Sequence, residues 1–152
     1  MRKIVIVLLL SLISSFAAFA QGQPSKQDRE SWLKEMQQYK VDFIAKKLSL
    51  SDEEKTKFAA IYNKMDKELR AVQDETMKME RQVRKKGDKA TNLELEKAAE
   101  AQFELKGKEH AIEMKYYPKF KSVLSPTQLF KLKEAERKFM RHVMKEHQKN
   151  KK

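Results

Sequence analysis

The chain has 152 residues, with 34 Lys and Arg against 22 Asp and Glu, a formal charge of +12 and no cysteine. Without cysteine there are no disulfides and no thiol catalysis. Three glycines and three prolines leave little material for turns, which predicts an almost entirely helical chain with few of the loops that usually carry catalytic groups.

Arg2 and Lys3 precede an apolar run from Ile4 to Ile13, and Ala18-Phe19-Ala20 puts small residues where a signal peptidase reads them. The pattern predicts a cleaved secretory signal peptide over residues 1–20. The apolar run falls short of the about 20 residues of a comfortable membrane span, and nothing later comes near it. The mature chain is therefore expected to carry no transmembrane segment, and no cysteine follows Ala20 to bear a lipid. Removing Arg2 and Lys3 lowers the formal charge from +12 to +10, still basic enough to attract acidic polypeptides or anionic surfaces. Export argues against nucleic acid as the partner.

Residues 21–27 form a polar leader with Gly22 and Pro24 and are expected to be disordered. A helical domain is expected over 28–148. Its first helix, from Asp28 to about Lys47, carries Trp32, Met36, Tyr39 and Phe43 at helical spacing, with Leu33, Ile44 and Leu48 widening the stripe. Trp32 is expected to pack against another helix, as large aromatics prefer burial. The second helix runs from Asp52 to about Lys86. Phe58, Met65, Val72 and Met79 recur every seven residues, with Tyr62, Leu69, Thr76 and Val83 as a companion row, which predicts coiled-coil-like packing. Gly87 is its natural stop.

Thr91 or Asn92 is expected to cap the third helix. Ala98, Ala99 and Ala101 allow a neighbour to approach closely, while Gly107 and Pro118 are expected to bend the axis. The fourth helix places Leu129, Leu132, Phe139 and Val143 on one face and dissolves from Gln148 into a basic tail, residues 149–152. Helices two and three are too long to bury their stripes within one small chain, so a homodimer is expected.

Two corners organise these helices. Leu124-Ser125-Pro126-Thr127-Gln128 and its echo Leu50-Ser51-Asp52-Glu53-Glu54 each place a leucine before a hydroxyl, with Gln or Glu three residues after it. This is a capping box preceded by an apolar staple, and Pro126 sits at the first helical position, where its missing N–H is harmless. The role expected for Leu50, Ser51, Glu54, Leu124, Ser125 and Gln128 is structural.

The same two corners resemble the Leu-Thr-x-x-Gln signature that occurs twice in the Spy/CpxP family of periplasmic proteins. Ser125 replaces Thr in the second copy, and Ser51 and Glu54 replace Thr and Gln in the first. The resemblance covers Asp28 to about His147. It implies a periplasmic protein, an all-α long helical hairpin of four helices paired as a curved antiparallel dimer, and an ATP-independent chaperone that holds unfolded envelope proteins on a basic concave face. It also implies an alternative, a regulatory or sensor subunit of an envelope stress response that binds a sensor-kinase domain or responds to metal.

No sequence pattern points to an enzyme. There is no Gly-rich phosphate loop, no Gly-x-Ser-x-Gly elbow and no His-Glu-x-x-His, and no cofactor is expected. Met140, Met144 and His147 fall at i, i+4 and i+7 and would suit a soft ion. Methionine at helical spacing usually packs, however, so no metal site is expected. For client binding the candidates are Arg81, Arg84, Lys85 and Lys86 at the end of the second helix, with Met77 and Trp32 as apolar contacts. Basic groups speed encounter with acidic segments, and flexible methionine adapts to varied apolar surfaces.

Overall fold

The computed structural model describes residues 25–149, so the expected signal peptide, most of the leader and the last three tail residues lie outside the described residues. Among the described residues there are four helices, α1 (Lys26–Lys47), α2 (Asp52–Lys86), α3 (Asn92–Lys121) and α4 (Pro126–Lys149), with a 3-10 turn, Gly87–Lys89, between α2 and α3. The described residues form an all-α helical hairpin with no strand, as the sequence predicts. They divide into two units, residues 1–38 and 39–152. The first contributes only residues 25–38, the opening of α1. Trp32 lies there and is 44% exposed, against the expected packing.

Each helix starts on a short polar side chain whose oxygen accepts from the backbone three residues on. In α2, Ser51 Oγ accepts from Glu54 N–H at 3.2 Å while Glu54 Oε2 accepts from Ser51 N–H at 2.8 Å. In α4 the same pair of bonds joins Ser125 and Gln128 at 3.2 and 2.8 Å. Thr91 and Glu94 repeat it at the start of α3, at 3.3 and 3.0 Å. A fourth box went unread in the sequence: Ser25 and Asp28 exchange bonds of 3.1 Å in each direction, so α1 begins at Lys26 rather than Asp28. The leader is thus helical from Lys26. At the other end α4 runs through Gln148 to Lys149 instead of dissolving, with Lys149 paired to Glu146 at 3.0 Å.

The two leucine-led corners meet. The Glu54 carboxyl is held below the usual carboxylate range, first by the Ser51 backbone N–H and further by a side-chain hydrogen bond with Gln128. Leu124 is buried and Leu50 packs against the core, as stapling residues should. Ser125→Ala removes one of these caps and is expected to cost about 1 kcal/mol. Thermal denaturation checks it, and an unchanged midpoint would sink the structural role given to this corner.

The helix ends differ from one another. Gly87 closes α2 with φ +53° and its N–H on the carbonyls of Val83 and Arg84. At the end of α1, Leu50 N–H reaches back to Ala45 C=O at 3.0 Å and Ser49 N–H to Lys46 C=O at 3.3 Å, the two bonds of a Schellman turn. The residue that must turn left-handed there is Ser49, at φ +54°. A β-carbon makes that conformation unfavourable, so Ser49→Gly is expected to stabilise the protein by about 0.5–1 kcal/mol. Chemical denaturation of the two proteins, compared at equal slope, tests this.

The core of the second unit is built around the corners. α1 supplies Val41, Ile44 and Leu48; α2 supplies Phe58, Tyr62 and Met65; Tyr116 and Phe120 come from α3; Leu132 and Ala135 come from α4. Phe58, Tyr62 and Phe120 form one aromatic cluster, with ring centroids 5.1 to 6.2 Å apart. The predicted stripe on α1 splits in two here. Ile44 and Leu48 enter the core, whereas Tyr39 and Phe43 turn to α4, each meeting Phe139 edge to face at 5.6 and 5.5 Å. Tyr39 Oη also hydrogen-bonds His142 Nε2 at 2.6 Å.

The heptad rows of α2 do face inward, but burial fades along the hairpin. Phe58, Tyr62 and Met65 are buried, whereas Leu69, Val72, Met79 and Val83 are only partly so. Beyond Leu69 the hairpin buries only Thr76 of α2 and Ala98 and Ala101 of α3. The small residues do allow close approach, although Ala99 points outward. α3 remains one continuous helix through both Gly107 and Pro118.

Candidate functional site

An open groove of about 510 Å³ runs between the hairpin and α4 in the second unit, with Lys40 of α1 also lining it. Two of its lining residues, Lys40 and Glu136, belong to a polar network that reaches Asp66 and Tyr62 of α2. Asp66, nearly buried, lies 3.0 Å from Lys40 Nζ and 3.1 Å from a guanidinium nitrogen of Arg70, one turn further along α2. Lys40 also sits over the Tyr62 ring at 5.2 Å. The Tyr62 hydroxyl donates to Glu136 at 2.8 Å, and burial together with the Glu136 charge raises its pKa well above the ordinary phenol value.

Across the groove, Lys133 of α4 bridges Glu113 of α3 and Glu136 of its own helix. Burial works against the Lys133 charge, but the two carboxylates outweigh it and its pKa is raised. Gln73 donates to Glu109 at 2.5 Å. Most of the lining is therefore satisfied internally. The exceptions lie on the α4 wall, where Arg137 and Arg141 form no direct ion pair among the described residues and flank the exposed Met140.

The predicted basic cluster lies at the hairpin tip and is only partly available. Lys86 is taken by Glu94 across the turn, and Arg84 pairs with Glu80 at 3.3 Å. Arg81 and Lys85 are exposed and form no ion pair among the described residues. Met77 is exposed one turn before Arg81 on the same face of α2, so the structure brings these two together. Trp32 belongs to the other unit.

Sequence reasoning missed the most exposed apolar groups. Phe103 on α3 and Phe130 on α4 are each 87% exposed, and Met114, Met140 and Met144 are more than half exposed. The signal was available: Phe103 lies off the stripe of Ala98, Ala101 and Leu105, and Phe130 lies next to the inward Leu129 rather than three or four residues from it. A phenylalanine displaced from the inward face of its helix has no place in that helix's core. On the other side of α3, Glu68 accepts from Lys115 and from the Tyr116 hydroxyl at 2.8 and 2.7 Å, which holds the Glu68 carboxyl below its ordinary pKa. That contact locks the hairpin and leaves no free charge.

Among the described residues, no group of three or more His, Cys, Asp and Glu could hold a metal ion, and no helix is long and apolar enough to cross a membrane. Comparison with known proteins found no matching family model, no similar curated protein and no similar solved structure.

Proposed function

We propose that this protein is an exported, ATP-independent holding chaperone of the periplasm, which binds unfolded or aggregation-prone proteins and works as a homodimer rather than as an enzyme. The observation that carries this reading is the exposure of whole aromatic and methionine side chains on a chain of net charge +12. Two fully presented phenylalanines are a poor investment for a protein with no partner, because large apolar groups on a surface promote association. The chain also exposes cations with no ion pair among the described residues, such as Arg81, Lys85 and Arg141, so it offers long-range attraction for acidic segments as well as short-range apolar contact. The methionines add adaptability, since an unbranched thioether fits many shapes.

Pairing with a second copy is supported by the thin packing of the outer hairpin, where partly buried Val72, Met79 and Val83 have little of their own chain to cover them. The corners supply what a holding surface needs beneath it, a rigid frame.

The test is light scattering from a chemically unfolded model protein diluted into buffer with and without this protein, in the absence of nucleotide. Suppression at stoichiometric amounts, weakened by salt, is the expected result. The double variant Phe103→Ser, Phe130→Ser should keep its helical circular dichroism and lose most of the suppression. Full suppression by that variant, or none by the unaltered protein, would overturn the reading.

A further inference from the structure

We propose that the face of α4 running from the groove, which Met140 lines, toward the helix C-terminus binds one soft monovalent metal ion, of the copper(I) or silver(I) class, through Met140, Met144 and His147. The sequence alone favours packing as the role of these methionines, and the structure removes that role. The packing face of α4 consists of Leu132, Ala135 and Phe139 with the half-buried Val143. Met140 and Met144 stand on a different face, 54% and 59% exposed. α4 continues past His147 to Lys149, so all three side chains rise from unbroken helix at i, i+4 and i+7.

His147 is exposed and forms no hydrogen bond or ion pair among the described residues, whereas the neighbouring His142 is held by Tyr39. Seven helical residues rise about 10.5 Å. A methionine arm and a metal–sulfur bond from one end, with an imidazole and a metal–nitrogen bond from the other, close that span above Met144.

The surroundings choose the ion. Arg137 and Arg141 flank Met140, and the carboxylates that share the groove with it are already engaged, Glu109 by Gln73, Glu113 by Lys133 and Glu136 by Lys133 and Tyr62, as Glu146 is by Lys149. A hard divalent ion seeks carboxylate oxygen and is repelled by such a setting. Thioether and neutral imidazole bind a soft ion without needing negative charge. The face is therefore matched to a singly charged, polarizable cation and mismatched to magnesium or calcium.

The experiment is titration of silver(I) into the protein in chloride-free buffer, followed by the methionine methyl and histidine ring signals in nuclear magnetic resonance, with copper(I) then tested anaerobically against a chromophoric chelator. The expected result is that the Met140 and Met144 methyls and the His147 ring shift together and saturate at one equivalent. Met144→Leu and His147→Gln should each weaken binding at least tenfold, and Met77→Leu should leave it unchanged. Because all three ligands are exposed, these variants should keep the helical circular dichroism of the parent protein. Parallel shifts at Met36, Met77 and Met114 with the same affinity, equal affinity in the variants, or no binding would each overturn the proposal. No client protein enters this titration, so its outcome stands apart from that of the holding assay.

Discussion

Phe58→Ala should lower stability by about 3–5 kcal/mol, the range for truncating a buried aromatic ring. Phe58 has no exposed surface and joins two other aromatics, Tyr62 at 5.1 Å and Phe120 at 5.7 Å between ring centroids. It stands at the first inward position of α2 after the capping box, where α2 and α3 come together beneath the two corners. The helices on either side are fixed by those corners, so the cavity has little freedom to collapse and the upper end of the range applies. Domains of this size are stable by about 5–15 kcal/mol, so a third or more of the total should vanish. A thermal midpoint lowered by about 10–20 °C is the corresponding observation. A loss under 1 kcal/mol would mean that the core lies elsewhere.

Asp66→Ala should have the second largest effect, about 2 kcal/mol, placed below the 3–5 kcal/mol of a fully buried pair because Lys40 and Arg70 keep some water. Asp66 is the shared anion for both, at 3.0 and 3.1 Å, and its removal leaves two partly desolvated cations facing each other. Asp66→Asn keeps the volume and one acceptor oxygen but loses the charge, so it separates packing from electrostatics. The expected order is parent, then Asn, then Ala. If Asn and Ala were equally destabilised, the contribution would be that of the carboxylate alone, and if neither changed the denaturation midpoint the Asp66 ion pairs would contribute nothing to stability.

Local chemistry made most of the fold readable. Helix boundaries at Ser51, Gly87, Thr91 and Ser125 follow from side chains that act on backbone groups within a few residues, and sequence displays those directly. Ser25 was passed over because it lies in a polar stretch with Gly22 and Pro24, although its Ser-x-x-Asp spacing carries the same chemistry as the other boxes. Ser49 gives no warning of its left-handed conformation, since the turn imposes it through the bonds of Leu50 N–H to Ala45 C=O and of Ser49 N–H to Lys46 C=O.

The candidate site was less legible for a related reason. The Lys40 to Asp66 and Tyr62 to Glu136 pairs link residues 26 and 74 positions apart, and any Lys or Glu on a charged helix looks much like the next. Lys86 reads as a free cation in sequence, yet a turn of this length brings it onto Glu94. Exposure of Phe103 and Phe130 was visible in the wheel positions, once those positions are compared with the face that each helix buries.

The fading of burial along the hairpin governs how the chain opens in time. Amide protons around Phe58 and Phe120 sit beneath contacts from all four helices and should exchange with solvent only when the whole domain unfolds. Those near Val83 and Leu93 are held by two helices and a glycine turn, so they should exchange through partial opening of the tip, far sooner and with weak dependence on denaturant. The hairpin thus behaves as a clamp with a fixed hinge and a loose end. Its moving part carries Met77 and Arg81, and its fixed part is sealed by the paired corners.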